Sequence, residues 1–147
     1  MLIYQIQFAG SDFNQWEEKG EIDFEGFIQV INNFPWEEQL EIYNSKQKGA
    51  SATISALNKN EDTALWISIG EDSRKRRFLI GHVFHKEVKG FLGLSKPKIK
   101  KWLDIYLLDD LTNAEQLFTL YFNNQTEELQ KKLQLEDRYN SMEAAAH

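Results

Sequence analysis

A chain of 147 residues with 41% hydrophobic and 13% aromatic side chains is far too apolar for a disordered segment, and one domain of this size buries roughly 68–70% of its unfolded surface. The lack of cysteine excludes a disulfide framework, a thiolate zinc site and a cysteine nucleophile; no run of about 18 apolar residues occurs, and no basic leader with an apolar stretch opens the chain, so a cytoplasmic protein away from membranes is expected. The net charge of −6 is sorted into blocks: residues 1–45 hold nine acids and one base, 71–101 three acids and ten bases, and 102–147 nine acids and three bases.

Leu2, Tyr4, Ile6 and Phe8 alternate with Ile3, Gln5 and Gln7 up to Gly10, the period of a half-buried strand. Ser11 to Glu18 reads as a single helical turn around Phe13 and Trp16. Asp23 then caps a short helix whose Phe24, Phe27, Ile28 and Ile31 fall on one side. Asn32-Asn33 breaks it, and Pro35 opens a second helix with Trp36, Leu40 and Tyr43 on one side and Glu37, Glu38 and Glu41 on the other. Ala52 to Leu57 and Thr63 to Gly70, separated by the polar stretch Asn58 to Asp62, read as a β-hairpin.

Two further strands are expected over Arg76–His85 and Val88–Leu94, with Lys86-Glu87 as their turn, and another over Ile99–Leu108, apolar on both phases as in a covered strand. Thr112 is placed to cap a helix bearing Ala114, Leu117, Phe118, Tyr121 and Phe122, ended by Asn123-Asn124. Thr126 starts a last helix with Leu129 and Leu133. The expected architecture is a single α+β domain over residues 1–137, a largely antiparallel sheet of about five to six strands packed by amphipathic helices on one face. Residues 138–147 read as a frayed tail ending in a cloning spacer and the start of a His tag.

No motif for catalysis or metal binding emerges, so an enzyme is not expected, nor is a cofactor. His82 and His85, three apart on a strand, point to opposite faces and cannot share a metal ion. The glycines match neither a P-loop nor a dinucleotide fingerprint, no G-x-S-x-G elbow occurs, and Asp109-Asp110 before a helix reads as capping in preference to an acid/base pair.

The charge blocks carry the functional reading. Arg74 to Arg77, Lys86, Lys89, Lys96, Lys98, Lys100 and Lys101 interleave with Phe78, Phe84, Phe91 and Trp102, the mixture a nucleic-acid surface uses. Against it, cations at strand ends and turns also guard sheet edges, and the rest of the chain repels a polyanion. The acidic first third carries Trp16, Glu17, Glu18 and Glu21, then Trp36, Glu37, Glu38, Glu41 and Tyr43, and large aromatics beside charge are typical of protein interfaces; these nine residues are the expected partner-binding set. The competing reading is a solvated helix face with core aromatics.

The strand Leu2–Phe8, the helix Phe24–Ile31, the hairpin Ser51–Gly70 with its arm Leu65-Trp66-Ile67-Ser68-Ile69-Gly70, and the helix bearing Ala114 to Phe122 together resemble the small α+β immunity proteins of bacterial polymorphic-toxin systems, those of contact-dependent growth inhibition and type VI secretion. The resemblance is one of element order over residues 2–123. One such family follows its late helix with a tryptophan-bearing strand, whereas here the last tryptophan is Trp102. It implies a protein without catalysis that neutralises a cognate toxin domain, encoded by an adjacent gene, by covering its active site or substrate-binding surface. A nuclease toxin, with its cationic cleft, would suit an acidic inhibitor.

Overall fold

The computed structural model describes residues 2–70, 77–90 and 96–144. Among these the chain runs β1 (Leu2–Gln7), β2 (Glu17–Ile22), α1 (Phe24–Asn33), α2 (Trp36–Lys46), β3 (Thr53–Asn58), β4 (Thr63–Ile69), β5 (Phe78–Val88), β6 (Lys98–Leu108), α3 (Leu111–Phe122), α4 (Thr126–Leu133) and β7 (Asp137–Glu143). The strands form one antiparallel sheet in the order β2-β1-β3-β4-β5-β6-β7. The α1–α2 pair carries the chain from the outer strand β2 back to the inner side of β1.

Residues opposite one another across antiparallel strands share a face. One row, Tyr4–Ala56–Leu65–His82–Asp104–Ser141, lies on the side that bears the helices; the next, Glu18–Gln5–Ser55–Trp66–Gly81–Ile105–Asn140, faces the other way. On the helix side Ile54, Leu65, Ile67, Ile69, Ile80 and Leu108 meet Phe27 of α1, Phe118 of α3 and Leu129 and Leu133 of α4, all 2% exposed or less. Phe27 is the hub, its ring 4.7 Å from Phe118 and 5.3 Å from Phe122. Asp23 caps α1, accepting from the Gly26 amide at 2.8 Å, as the spacing predicts.

Four expectations are corrected. The stretch around Trp16 is not a helical turn, and Glu17–Ile22 is the edge strand β2, bulged at Lys19 with Gly20 at φ 104. Its residues are mostly exposed, so it carries no apolar alternation to read. Residues 138–144 of the expected tail are likewise no frayed end, 145–147 lying outside the described residues: β7 pairs with β6 along 137–143 and the Ala144 amide donates to the Lys101 carbonyl at 3.0 Å, giving seven strands where five to six were expected. Lys86-Glu87 is not a turn, because β5 runs through it, Lys86 opposite Lys100 and Glu87 opposite Ile99; Lys-Glu supplies neither positive φ nor a fixed proline φ. Of the two strands expected there, residues 76 and 91–94 lie outside the described residues. Asp110, not Thr112, caps α3, its carboxylate accepting from the Asn113 amide at 3.2 Å.

Phe118→Ala should lower the unfolding free energy by ~3–5 kcal/mol in urea titration, while Phe13→Ala, at a position 71% exposed, should stay within ~0.5 kcal/mol. Equal effects would contradict this placement of the core.

Candidate functional site

The described helices leave the second sheet face uncovered: Leu57, Trp66, Val83 and Leu103 on that face are no part of the helix-packed core. Its floor is built from small residues, with Ser55, Ala64 and Ser68 all buried. Trp66 lies flat across its cross-strand neighbour Gly81, where an added Cβ would stand 2.0 Å from indole Cε2. Glycine in this strand interior is therefore required by the ring above it. Around the indole the face sinks into a cavity of about 800 Å³ walled by Trp16, Leu57, Val83 and Leu103.

Hydrogen bonds to backbone carbonyls hold one rim. Gln7 Nε2 donates to the Phe13 carbonyl at 3.0 Å, and the Gly10 and Ala50 amides donate to the Ala50 and Ser11 carbonyls at 2.8 and 2.9 Å. Gly49, at φ 86, lets the two segments approach, since a Cβ there would meet the Gly10 carbonyl at 2.8 Å. These contacts position the loop that ends in Trp16. The other rim carries Asp62, in the left-handed region at φ 56, which accepts from Lys101 Nζ at 2.9 Å and lies 3.8 Å from His85 Nε2.

The nine expected partner-binding residues fall on separate surfaces. Trp16 lines the cavity, and Glu18 and Glu21 share its face, opposite Gln5 and Ile3; Glu18 pairs with Lys59 at 2.5 Å. Glu17 stands opposite Ile6 and belongs to the other side. Glu37, Glu38 and Glu41 project into solvent from α2, where Glu37 pairs with Arg77. Trp36 is a core residue, 6% exposed, its Nε1 donating to the Ile31 carbonyl at 2.9 Å and its ring 5.6 Å from Phe78, so it presents no surface to a partner. Tyr43 packs half-buried against the same core. The pattern reading missed Trp66, Gly81, Leu57, Val83 and Leu103; the outward phase of Trp66 and a glycine inside an apolar strand were the available signals.

The basic block does not form one patch among the described residues. Lys86 and Lys100 stand opposite each other, as do Val88 and Lys98, on the helix-bearing phase, whereas Lys101 points into the open face. Arg77, Lys100 and Lys101 are paired with Glu37, Glu143 and Asp62. Residues 74–76 and Phe91 lie outside the described residues.

His82 and His85 do lie on opposite faces. His82, 3% exposed, stacks on Phe84 at 4.9 Å beside Asp104, and burial drives its pKa down from 6.5 to about 4 against the raising effect of the Asp104 charge. Ser141 Oγ donates to Asp104 Oδ1 at 2.5 Å and accepts from Trp102 Nε1 at 2.8 Å. Histidine, aspartate and serine thus share a row, but the serine proton is given to the aspartate instead of the imidazole, the wrong connection for an activated nucleophile. Among the described residues no three His, Asp or Glu side chains come together as a metal site, and no helix is long and apolar enough to cross a membrane. No protein-family model, curated protein or solved structure matches this chain.

His82 makes stability depend on pH with a definite sign. The unfolded chain takes up the imidazole proton near pH 6.5 and the folded chain only near 4, so stability is full above 6.5 and falls by up to ~3 kcal/mol on acidification through that window. Urea unfolding at pH 7 and pH 4 should show the wild-type chain losing more stability than His82→Phe by about that amount. A parallel loss in the two chains would contradict the assignment.

Proposed function

We propose that this chain is an inhibitory binding protein of the immunity class, acting in the cytoplasm on a cognate toxin domain without catalysis of its own, and that the uncovered sheet face is the surface that meets the partner. The observation that carries this reading is the tryptophan-floored cavity on a face no described helix covers, flanked by Glu18, Glu21 and Asp62. Large aromatics in a depression bordered by charge are the anchors that dominate protein interfaces.

The net charge of −6 favours a cationic partner and speeds encounter, as an inhibitor covering a nucleic-acid-cleaving site requires. The alternative of nucleic-acid binding through residues 74–101 is the weaker reading, because the described cations of that segment are divided between two faces and several are already paired.

Co-purification with the product of the adjacent gene, and rescue of growth when that product is expressed, test the reading. Trp66→Ala should weaken the complex by about 30-fold or more, as loss of an interface hot spot does, with thermal melting run alongside to show that the variant is folded. Reversing Glu37, Glu38 and Glu41 to lysine, on α2 away from the uncovered face, should slow association only several-fold, through weaker long-range steering. Absence of both co-purification and rescue with every adjacent product would sink the proposal.

A further inference from the structure

On the helix-bearing side of the sheet, His82, Lys86, Asp104, Tyr106 and Arg138 line a second cavity of about 220 Å³, with Gln130 of α4 on its far wall. It lies on the opposite face from the tryptophan-floored cavity, and its residues take no part in the proposed partner surface. Three features of its lining bear on what it can hold.

His82 is 3% exposed, yet its imidazole makes no hydrogen bond among the described residues. Among the described residues no sealed side-chain nitrogen or oxygen lacks a partner, so the His82 nitrogens are among the atoms that reach the cavity. A buried ring in this position presents one N–H and one lone pair to whatever enters. Asp104, in contrast, is occupied by uncharged donors, Ser141 Oγ at 2.5 Å and the Tyr106 hydroxyl.

Because neutral groups satisfy Asp104, the two cations of the cavity are left without it. Among the described residues neither Lys86 nor Arg138 has a carboxylate at ion-pair distance; Lys86 Nζ sits 3.8 Å above the Trp102 ring, and Arg138 reaches the Tyr106 hydroxyl. Two positive side chains against one carboxylate leave the lining at +1, with N–H donors in excess of free acceptors. The complement to such a lining is an oxyanion, which guanidinium and ammonium groups hold by charge-assisted hydrogen bonds. The volume is below the ~300–1,000 Å³ typical of drug-sized ligands, so the oxyanion belongs to a small molecule.

We propose that this cavity binds a small carboxylate or phosphate compound, its oxyanion held by Arg138 and Lys86 with the His82 imidazole as a further donor. The site is independent of the partner reading and stands if that reading fails.

The whole chain tests it, with His82 and His85 as ring reporters on opposite faces. Acetate and, separately, inorganic phosphate are titrated at pH 7 and constant ionic strength kept with chloride, and the imidazole signals are followed by NMR. The expected result is a saturable shift of His82 with at least one of the two anions, no shift of His85, and binding about tenfold or more weaker in Arg138→Gln. Response to acetate alone assigns the site to organic acids, and response to phosphate alone to phosphate compounds. Arg138 is exposed on an edge strand, so its variant should keep the native thermal midpoint; if it does not, Lys86→Gln supplies the same comparison. No saturable His82 shift with either anion, an equal shift with chloride, or unchanged affinity in the folded variants would overturn the proposal.

Discussion

The register of the β3–β4 hairpin, with Ile54 opposite Ile67, is the constraint on which the rest of the molecule depends. It sends Ile54, Ala56, Leu65, Ile67 and Ile69 toward the helices and leaves Ser55, Trp66 and Ser68 on the other side. A slip of one residue would exchange the two sets, placing Trp66 against Phe27 and Phe118 and exposing the isoleucines, so burial itself selects the register. The neighbouring strands inherit the choice. Gly81 must lie beneath Trp66, and His82, one residue on, must point to the helix side.

That inheritance explains why two chemically different cavities lie back to back. Consecutive residues of β5 serve opposite faces: Gly81 lies under the Trp66 ring and Val83 lines the tryptophan-floored cavity, whereas His82 and Phe84 line the polar one. The helices seal the middle of their own side with Phe27, Phe118 and Leu129, but the long β5 and β6 strands run past α4, and the polar row His82–Asp104–Ser141 occupies the margin. Asp104 is tolerable there because Ser141 and Tyr106 supply hydrogen bonds, and His82 because it stays neutral. Tyr121 illustrates the same economy at the other end of the hairpin: its hydroxyl, 3.0 Å from Thr63 Oγ1, ties α3 to β4, and burial pushes its pKa up to about 12.

Elements that bury one face were legible in the sequence. The alternation of Leu2 to Phe8, the Asp23-capped helix, the 52–70 hairpin and the stripe Ala114 to Phe122 all show the period of their burial, and each forms where that period places it. The two edge strands were not legible, for one reason: β2 and β7 each have a single neighbour and mostly exposed side chains, so nothing in Glu17 to Ile22 or Asp137 to Glu143 needs to alternate. The sites were half legible. Trp16, Glu18 and Glu21, singled out through composition, lie on the candidate face, but Trp36 shares the same aromatic-and-acid neighbourhood and is core, because position on a helix, not sequence company, decides which way a ring points. The pairing of Trp66 with Gly81 depends on strand register, which composition does not encode.

The four tryptophans divide the molecule and so provide the most direct measurement of the central claim. Trp16 and Trp66 line the open face, Trp36 is sealed in the core, and Trp102 lies on the helix-bearing phase with its Nε1 bonded to Ser141. In an isotope-labelled chain titrated with the adjacent gene's product, the indole N–H signals of Trp16 and Trp66 should shift or broaden on complex formation, while those of Trp36 and Trp102 stay in place. A complex that forms with Trp16 and Trp66 unperturbed would contradict the assignment of the open sheet face as the binding surface.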